Sequence, residues 1–378
     1  MKRLNHLWEQ ITTFDNLLLA YQKAQRGKQR KSAVAQFAFN LEHELFTLQR
    51  QLVDGSYQPG GYRLFTIYES KARTIAAAPF RDRVVHHALM NIIEPPLDKQ
   101  FIYDSYACRQ GKGVHKAVDR YQKWAQRYCY ALKMDIQQYF PSIDHQLLKE
   151  KLRRRIKDGN VLNLLDKIID SAPPVQLPPV WHSGADLVTP VKRRTGIPIG
   201  NLTSQFLANF YLNDFDHYIK EQLGIRAYLR YVDDFFVLHD DKNYLHHIQE
   251  QIRAYLAQNR LRLHPRKAHL IPTANGVDVL GYLVFPQRRR LRNRNGHRFV
   301  RKLRGLAKAY ASSQINWFDV KPSIQSWIGH AKHADTYGLR CKIFSGIVFQ
   351  RQGNPPKRQP FCVARRLVEQ QTEERASS

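Results

Sequence analysis

The chain has 378 residues, and its 60 Lys and Arg against 32 Asp and Glu give it a net charge of +28. A surplus of this size attracts polyanions and releases counterions on binding nucleic acid, so it favours a nucleic-acid partner. No apolar run approaches the length of a membrane span and four scattered cysteines form no Cys-x-x-Cys pair, which argues against a membrane anchor, a zinc site and a disulfide framework. We therefore expect no membrane contact and a cytoplasmic protein with reduced thiols.

The first 55 residues are predicted to be helical, because apolar residues recur at helical spacing. A basic linker, Lys23 to Lys31, interrupts them and is compatible with either a solvated loop or an RNA contact. Turn signals near Pro59 then precede a β-rich segment, Tyr62 to Tyr68.

The segment that follows is predicted to form a basic hairpin and then a helix with Asp82 at its start. Lys71 and Arg73 flank the hairpin tip, where they could hold a triphosphate. Simple surface solvation is the alternative for both side chains.

A strand is predicted from Tyr128 to Ile136, and it places Asp135 at its end. A carboxylate at such a place is a common metal ligand in mixed sheets, although one acidic residue alone is weak evidence. The chain then turns into a helix, for which Ser142 is the expected cap. Helices to Ser171 and a Pro-rich connection over 172–195 complete this part.

A Gly-rich turn and a long helix are predicted over Gly196–Leu212. The glycines would let backbone approach a ligand closely, and Asn201, Thr203 or Ser204 could cap the helix. A plain loop-to-helix junction explains the same pattern without a ligand.

Two apolar, β-prone runs in Tyr228–His239 flank a pair of adjacent carboxylates, Asp233 and Asp234. This pattern predicts a tight β-hairpin with both carboxylates at its tip. Neighbouring carboxylates repel each other unless a cation neutralises them, and Mg²⁺ prefers such hard oxygen ligands. A solvated Asp-Asp turn is the alternative.

The remaining chain is predicted to contain a helix over 243–260, an extended stretch over 261–271 and a strand, Val279–Phe285, with a central glycine. From Gln287 the sequence is intensely basic and leads into helices to about residue 350, which suits contacts with a duplex backbone. His330 and His333 lie one helical turn apart, but a metal site would need a third ligand.

Together, Asp135, the Ile199–Gln205 stretch and the Tyr-Val-Asp-Asp hairpin resemble reverse transcriptases, over roughly residues 1–350. Ile-Gly-Asn-Leu-Thr-Ser-Gln at 199–205 is similar to the version found in diversity-generating retroelements, whose enzymes copy a template RNA with errors at adenines. Ser326–Asp335 is similar to the thumb of the same group. The resemblance implies an RNA-directed DNA polymerase of this type.

That resemblance implies an α+β fold, the right-hand polymerase, with fingers, a palm of antiparallel sheet plus helices, and a helical thumb. We expect an N-terminal helical extension over 1–60, fingers and palm over 61–285, a basic helical thumb over 286–350, and a polar, partly ordered tail over 351–378.

The resemblance also implies a role for individual residues. Asp135, Asp233 and Asp234 would be catalytic, and with Ile136 they would form the site of two Mg²⁺ ions acting on dNTP substrates. Residues implied to meet the nucleotide are Lys71, Arg73, Phe140, Ile199, Gly200, Gln205 and Lys267. Those implied to grip the primer are Leu280, Gly281 and Tyr282, and those on the nucleic-acid backbone are Arg288, Arg289, Arg290, Arg301 and Lys302.

The implied partners are a template RNA, the RNA/cDNA hybrid and an accessory, basic, barrel-shaped homo-oligomeric variability protein, in a bacterial, archaeal or phage-encoded system. A reverse transcriptase of ordinary fidelity, like those of group II introns or retrons, is one alternative, against which Ile199 and Gln205 argue. A non-catalytic RNA-binding scaffold is another, against which the three intact aspartates argue.

Overall fold

The computed structural model describes residues 3–68, 72–175 and 193–351. Lys71, most of the Pro-rich connection (176–192) and the predicted tail from 352 lie outside the described residues. None of the helices in the described ranges is long and apolar enough to cross a membrane. By their contacts the residues group into two compact units: unit 1 within Met1–Gly113, Leu132–Val237 and Asp241–Leu270, and unit 2 within Val114–Ala131, Leu238–Asp240 and Ile271–Ser378.

Unit 1 begins with helices, which confirms the prediction from apolar spacing. The side chain of Thr13 accepts a hydrogen bond from the Asn16 N–H and so caps the second helix. The ring of Phe80 packs edge-on against those of Tyr21 and Phe37, which anchors the N-terminal helices to α5. The helices are α1 (Trp8–Thr12), α2 (Phe14–Gln25), α3 (Ser32–Phe39), α4 (Leu41–Val53) and α5 (Phe80–Asp98).

The predicted hairpin between α4 and α5 is present as β1 (Arg63–Tyr68) and β2 (Ala72–Ala77), paired antiparallel. As predicted, Asp82 lies in the first turn of the following helix. Its buried carboxylate accepts hydrogen bonds from the Tyr57 hydroxyl and the Gly60 N–H, both at 2.8 Å. This carboxylate therefore fixes the chain before the hairpin to the helix after it.

A four-stranded sheet has the order β4-β5-β3-β6. The predicted hairpin forms its β4–β5 pair, in which Tyr231 lies opposite Asp234. The predicted strand that ends on Asp135 is also confirmed. The strands are β3 (Tyr130–Asp135), β4 (Tyr228–Tyr231), β5 (Asp234–His239) and β6 (His269–Pro272).

Further helices lie before β3 and between these strands. A single π-helical turn, Tyr218–Gln222, directly follows the sixth of them. The helices are α6 (Val114–Ala125), α7 (Tyr139–Ser142), α8 (His145–Arg155), α9 (Gly159–Asp170), α10 (Leu202–Tyr211), α11 (Asn213–His217) and α12 (Lys242–Gln258).

Two capping predictions are wrong. Helix α8 is capped by Asp144, whose carboxylate accepts from the Leu147 N–H at 3.0 Å, whereas Ser142 ends α7 and donates to the Gln137 carbonyl. The reason is that α7 stops after four residues, so a new N-terminus forms beyond it.

Helix α10 starts after Asn201, but the side chain of this N-cap residue does not cap it. The Asn201 side chain accepts instead from the Ala78 N–H at 3.5 Å, while Thr203 and Ser204 lie inside the helix. A long-range contact to the segment after β2 has replaced the local cap.

Unit 2 contains a three-stranded antiparallel sheet, β7-β8-β9, and the predicted helices. The prediction of one strand over Val279–Phe285 is wrong, because Leu280 and Gly281 both have positive φ and reverse the chain. The start of the basic run is likewise a strand. The elements are β7 (Val277–Val279), β8 (Tyr282–Val284), β9 (Arg289–Leu291), α13 (Asn293–Ala311), α14 (Trp317–Ala331) and α15 (Tyr337–Ser345).

Candidate active site

The centre of the candidate site is the two-residue turn, Val232-Asp233, that joins β4 to β5. Val232 has φ of 56°, whereas Asp233 is not in the left-handed region. A positive φ at the first central residue alone is typical of a type II′ turn, which usually has glycine there. A β-branched residue in this conformation is strained, by about 1–3 kcal/mol, and such strain concentrates at functional sites.

Asp135 reaches the same corner from the end of β3. The Ile136 N–H donates to the Asp233 carbonyl at 3.2 Å, which ties the two chain segments together. The Asp135 backbone is held as well, since its carbonyl accepts from the His264 N–H at 2.8 Å. The structure therefore brings together two carboxylates that are 98 residues apart in the sequence.

The charges at this corner are mostly alike. Burial, followed by repulsion from Asp234 and Asp135, raises the pKa of Asp233 to about 6. Lys267 forms an ion pair with the Asp135 carboxylate and supplies a positive charge. A raised carboxyl pKa means that the site disfavours its own negative charge, which a bound cation would relieve.

The donor chemistry of this corner fits Mg²⁺. Its ligands would be hard anionic oxygens, of which Mg²⁺ commonly takes one or two from protein carboxylates and the rest from water and phosphate. Within the described ranges, no group of three or more His, Cys, Asp or Glu side chains could hold a metal ion. Substrate and water oxygens would therefore have to complete the coordination of any ion bound here.

Several residues predicted to meet the nucleotide lie in unit 1. Phe140 is half-buried on α7, and its carbonyl accepts from the Ile197 N–H at 3.1 Å. The Ile199 carbonyl accepts from the Ala76 N–H at 3.1 Å, which connects β2 to the Gly-rich turn.

Gly200 follows in that turn with φ of 118°, and a Cβ there would lie 2.8 Å from the Ile75 side chain. Both its conformation and its crowding therefore require glycine. Arg73 is exposed on β2 and Gln205 is exposed on α10, whereas Lys71 lies outside the described residues.

The predicted primer-grip residues belong to unit 2. Leu280 and Gly281 form the turn between β7 and β8, with φ of 50° and 99°. The Tyr282 ring is buried, and its hydroxyl contacts His330 at the carbonyl (2.8 Å) and at Nδ1 (2.7 Å). This bond fixes β8 to α14.

The structure adds a third histidine to the pair noted in the sequence. The His115 ring stacks on His333, with centroids 3.4 Å apart, and lies 6.2 Å from His330. Stacked rings direct their nitrogen lone pairs along parallel planes rather than toward one point. In agreement, this part of the described chain holds no metal-binding group.

The basic residues of unit 2 differ in their surroundings. Arg289 is bonded to other side chains of unit 2, since it forms an ion pair with Asp119 at 2.6 Å and a hydrogen bond to Gln122. Arg288 and Arg290 are exposed, and their guanidinium groups lie over the Phe285 ring. Arg301 and Lys302 are exposed on α13.

A groove of about 700 Å³ in unit 2 was not predicted from the sequence. Among the residues that the structure describes, no carboxylate lines it, and most of its polar side chains can donate hydrogen bonds. Spacing of three to four residues along α13 and α14 is the signal that could have revealed it. Its polar lining consists of Asn295, Arg298, Lys302, Ser323, Ser326 and His330.

Sequence reasoning also missed a buried ion pair below the turn. Arg230 and Asp216 are both fully buried and 2.6 Å apart. The arginine inside the apolar run of β4 is a usable signal, because a buried guanidinium requires an acidic partner. Nothing in the sequence identifies which acid that partner is.

Comparison with known proteins gives a family for this site. The family model described as "Reverse transcriptase (RNA-dependent DNA polymerase)" matches residues 64–284, more than half of the chain. The match includes all three aspartates and the Gly-rich turn.

Individual relatives are more distant. Protein YkfC of Escherichia coli (strain K12) is 28% identical over 288 residues, which cover 65% of this chain and 72% of that protein. The group II intron-encoded protein LtrA of Lactococcus lactis subsp. cremoris is 22% identical over 61% of this chain, and the match spans only 38% of LtrA. Apo telomerase from Candida tropicalis has a TM-score of 0.44 and 12% identity, over 60% of this chain and 47% of that one, and so weak a likeness supports no further statement.

Proposed function

Because this chain belongs to the reverse transcriptase family, the RNA-directed DNA polymerases, we propose that Asp135, Asp233 and Asp234 are its catalytic carboxylates. The observation that carries the proposal is the corner where the Asp233 turn is bonded to Ile136, directly after Asp135. Burial, followed by repulsion from the other two carboxylates, raises the pKa of Asp233, as expected for a site that acts with a cation.

Two Mg²⁺ ions, when bound, would supply Lewis-acid activation of the primer 3′-hydroxyl and a counter-charge for the triphosphate. Asp135 and Asp233 would hold them, with the Ile136 carbonyl and Asp234 as further oxygen donors. Lys267 places a positive charge at the same corner, suited to a triphosphate oxygen.

The nucleotide would meet unit 1 at the Gly-rich turn and α7. Phe140 would lie beneath the sugar and exclude a 2′-hydroxyl, and Gly200 would let the backbone approach base and template. Arg73 and Lys71 would contact the triphosphate from the hairpin of β1 and β2. The contact between Ile199 and Ala76 supports this assignment, since it joins that hairpin to the turn.

In unit 2 we propose contacts with the primer and with the RNA/cDNA hybrid. Leu280, Gly281 and Tyr282 would form the primer grip. The exposed cations Arg288, Arg290, Arg301 and Lys302 would contact backbone phosphates, and Arg298 would join them from the groove. Arg289, already paired with Asp119, would contribute less than its position in the sequence indicates.

We further propose that the enzyme is of the diversity-generating type and makes error-prone cDNA at template adenines. The support is Ile199–Gln205, where this chain has Ile and Gln at the two ends of the motif. Its partners would then be a template RNA, the RNA/cDNA hybrid and the basic, barrel-shaped accessory variability protein. A second candidate is a reverse transcriptase of ordinary fidelity, which the similarity to an intron-encoded protein favours.

The test is primer extension on a defined RNA template with dNTPs, in Mg²⁺ and in EDTA, followed by sequencing of the cDNA. We expect metal-dependent DNA synthesis with errors concentrated opposite adenine, and Asp233→Asn serves as the inactive control. Accurate cDNA would favour the second candidate. If neither the parent nor Asp233→Asn makes DNA while both still bind RNA, the chain is a non-catalytic RNA-binding scaffold and the proposal is overturned.

A further inference from the structure

Arg230 lies in β4, two residues before Val232 and three before Asp233. Its side chain is fully buried, and so is that of Asp216 on α11. The guanidinium meets the carboxylate in a two-pronged contact, Nε to Oδ1 at 2.8 Å and Nη2 to Oδ2 at 2.6 Å. Burial by itself would lower the pKa of Arg230, but Asp216 more than offsets this and raises it, so the guanidinium stays charged.

The guanidinium of Arg230 also reaches four groups on three further residues. Nη2 contacts the Asn209 carbonyl at 3.3 Å and the Ser105 hydroxyl at 3.4 Å. Nη1 donates to the Asn209 side-chain oxygen at 3.1 Å and to the Val232 carbonyl at 3.0 Å. Asp216 is itself fixed by the Tyr228 hydroxyl at 2.6 Å. The guanidinium is therefore held rigidly, and one of its contacts is the strained turn residue.

We propose that Arg230 is a positioning residue, which holds Val232 in its left-handed conformation and thereby sets Asp233 beside Asp135. Both carbonyl groups of the turn accept a hydrogen bond. Nη1 of Arg230 donates to that of Val232, and the Ile136 N–H donates to that of Asp233. A β-branched residue leaves the left-handed region unless its surroundings enforce it. Without Nη1, Val232 relaxes and Asp233 moves.

A purely stabilising role is the alternative, and the chemistry argues against it. A buried ion pair contributes little net stability compared with well-packed apolar residues, so stability alone is a weak reason for one below the turn. A planar fork, in contrast, can bind a carboxylate on one side and orient a carbonyl on the other. The proposal rests on the proposed catalytic role of Asp233.

The test is Arg230→Lys, which retains the charge opposite Asp216 but cannot span both groups. We expect kcat for single-nucleotide addition to fall by about 10- to 100-fold, the range seen when support behind a metal ligand is removed. The half-saturating Mg²⁺ concentration should rise, while the Kd for primer–template stays at the parent value. Ser105→Ala is the matched control, because it removes only the long bond to Nη2, and we expect kcat within about threefold of the parent.

A double-mutant cycle with Val232→Gly isolates the positioning role. Glycine adopts a φ of 56° without strain, so the hairpin itself then favours the turn. Arg230→Lys should reduce kcat much less in the Val232→Gly background than in the parent. Equal reductions in both backgrounds would overturn the proposal, and so would a kcat unchanged by Arg230→Lys.

Hydrogen exchange of the metal-free protein gives a readout that does not depend on activity. In Arg230→Lys we expect faster exchange in peptides covering 228–239, with the rest of unit 1 unchanged. Uniformly faster exchange would mean a stabilising role and would overturn the proposal. If Asp233→Asn is fully active, the proposed function fails instead, and the exchange result still decides the role of Arg230.

If Arg230→Lys does not fold, Tyr228→Phe replaces it. That variant removes one hydrogen bond from Asp216 and keeps both the ring and the ion pair. We expect the same pattern at smaller size, with kcat lowered several-fold, primer–template Kd unchanged and the effect reduced by Val232→Gly. A parent-like kcat, or a loss that Val232→Gly does not reduce, would overturn the proposal.

Discussion

Two groups of charges meet at the turn between β4 and β5. On one side Arg230 and Asp216 are fully buried, opposite in sign and saturated with hydrogen bonds. On the other side Asp135, Asp233 and Asp234 are alike in sign, and their repulsion contributes to the raised pKa of Asp233. The fold thus pairs the charges that support the turn and gathers like charges at the corner proposed to be catalytic, where a bound cation would be favoured. The predictions below test this contrast first and then extend it to an apolar position and to the cations of unit 2.

The largest effect is expected at the carboxylates. Asp233→Asn or Asp135→Asn should reduce DNA synthesis by about 1000-fold or more, because electrostatic stabilisation by a bound metal contributes several kcal/mol to the transition state. Binding of primer–template should remain close to that of the parent, as measured by fluorescence anisotropy. Residual extension within about tenfold of the parent would remove the catalytic assignment.

Stability should respond in opposite directions at the two groups. Asp216→Asn leaves a buried guanidinium without its counter-charge and should destabilise the chain by about 3–5 kcal/mol. Asp233→Asn should stabilise the metal-free chain at pH 7, on the order of 2 kcal/mol, because it removes a carboxylate that the site disfavours.

The pH dependence of the free energy of unfolding shows in which direction Asp233 affects stability. Its pKa is about 6 in the folded chain and about 3.9 in the unfolded chain, so the folded state binds the proton more tightly between these values. Its contribution to the free energy of unfolding therefore decreases as pH rises from about 4 to 6. Denaturant titrations in EDTA should show the free energies of unfolding of the parent and of Asp233→Asn converging near pH 4. Equal free energies of unfolding at all pH values would contradict this prediction.

Substitution of Ile199 tests a position whose proposed role in base discrimination does not depend on charge. Its side chain offers only shape and dispersion near the proposed nucleotide site, so it cannot penalise a mispair by leaving a polar group unpaired. Ile199→Gln or Ile199→Asn should change discrimination by roughly 5- to 150-fold, from a hydrogen-bonding check of about 1–3 kcal/mol. The measurement is misincorporation opposite each template base. An active variant with the parent's errors at adenine would show that Ile199 only packs the junction.

The smallest effect is expected in unit 2, where Arg289, which pairs with Asp119, is compared with two cations of the groove. Arg298→Gln with Lys302→Gln should flatten the slope of log affinity against log salt by about two units, since each removes about one phosphate contact. Arg289→Gln is the comparison and should change the slope by less than about one unit, because Asp119 already neutralises that side chain. Equal slopes for the double variant and for Arg289→Gln would mean that the groove is an ordinary solvated surface.

Local signals in the sequence were sufficient for much of the fold and for part of the site. The N-terminal helices, the strand that ends on Asp135 and the hairpin that carries Asp233 and Asp234 follow from apolar periodicity and from the adjacent carboxylates. Each depends on neighbours in the chain, which is why it could be predicted. The family resemblance was likewise a matter of motifs in order, and the family match over 64–284 confirms it at the level of reverse transcriptase.

Only the tertiary structure decided how these pieces meet. It paired Arg230 with Asp216, bonded Ile136 to the Asp233 turn, turned the predicted 279–285 strand into a hairpin and assigned Arg289 to Asp119. Asn201 illustrates the reason, since an expected helix cap became a contact to Ala78. Partner choice among similar charged or polar groups depends on three-dimensional distance and burial, and separation along the chain contains neither.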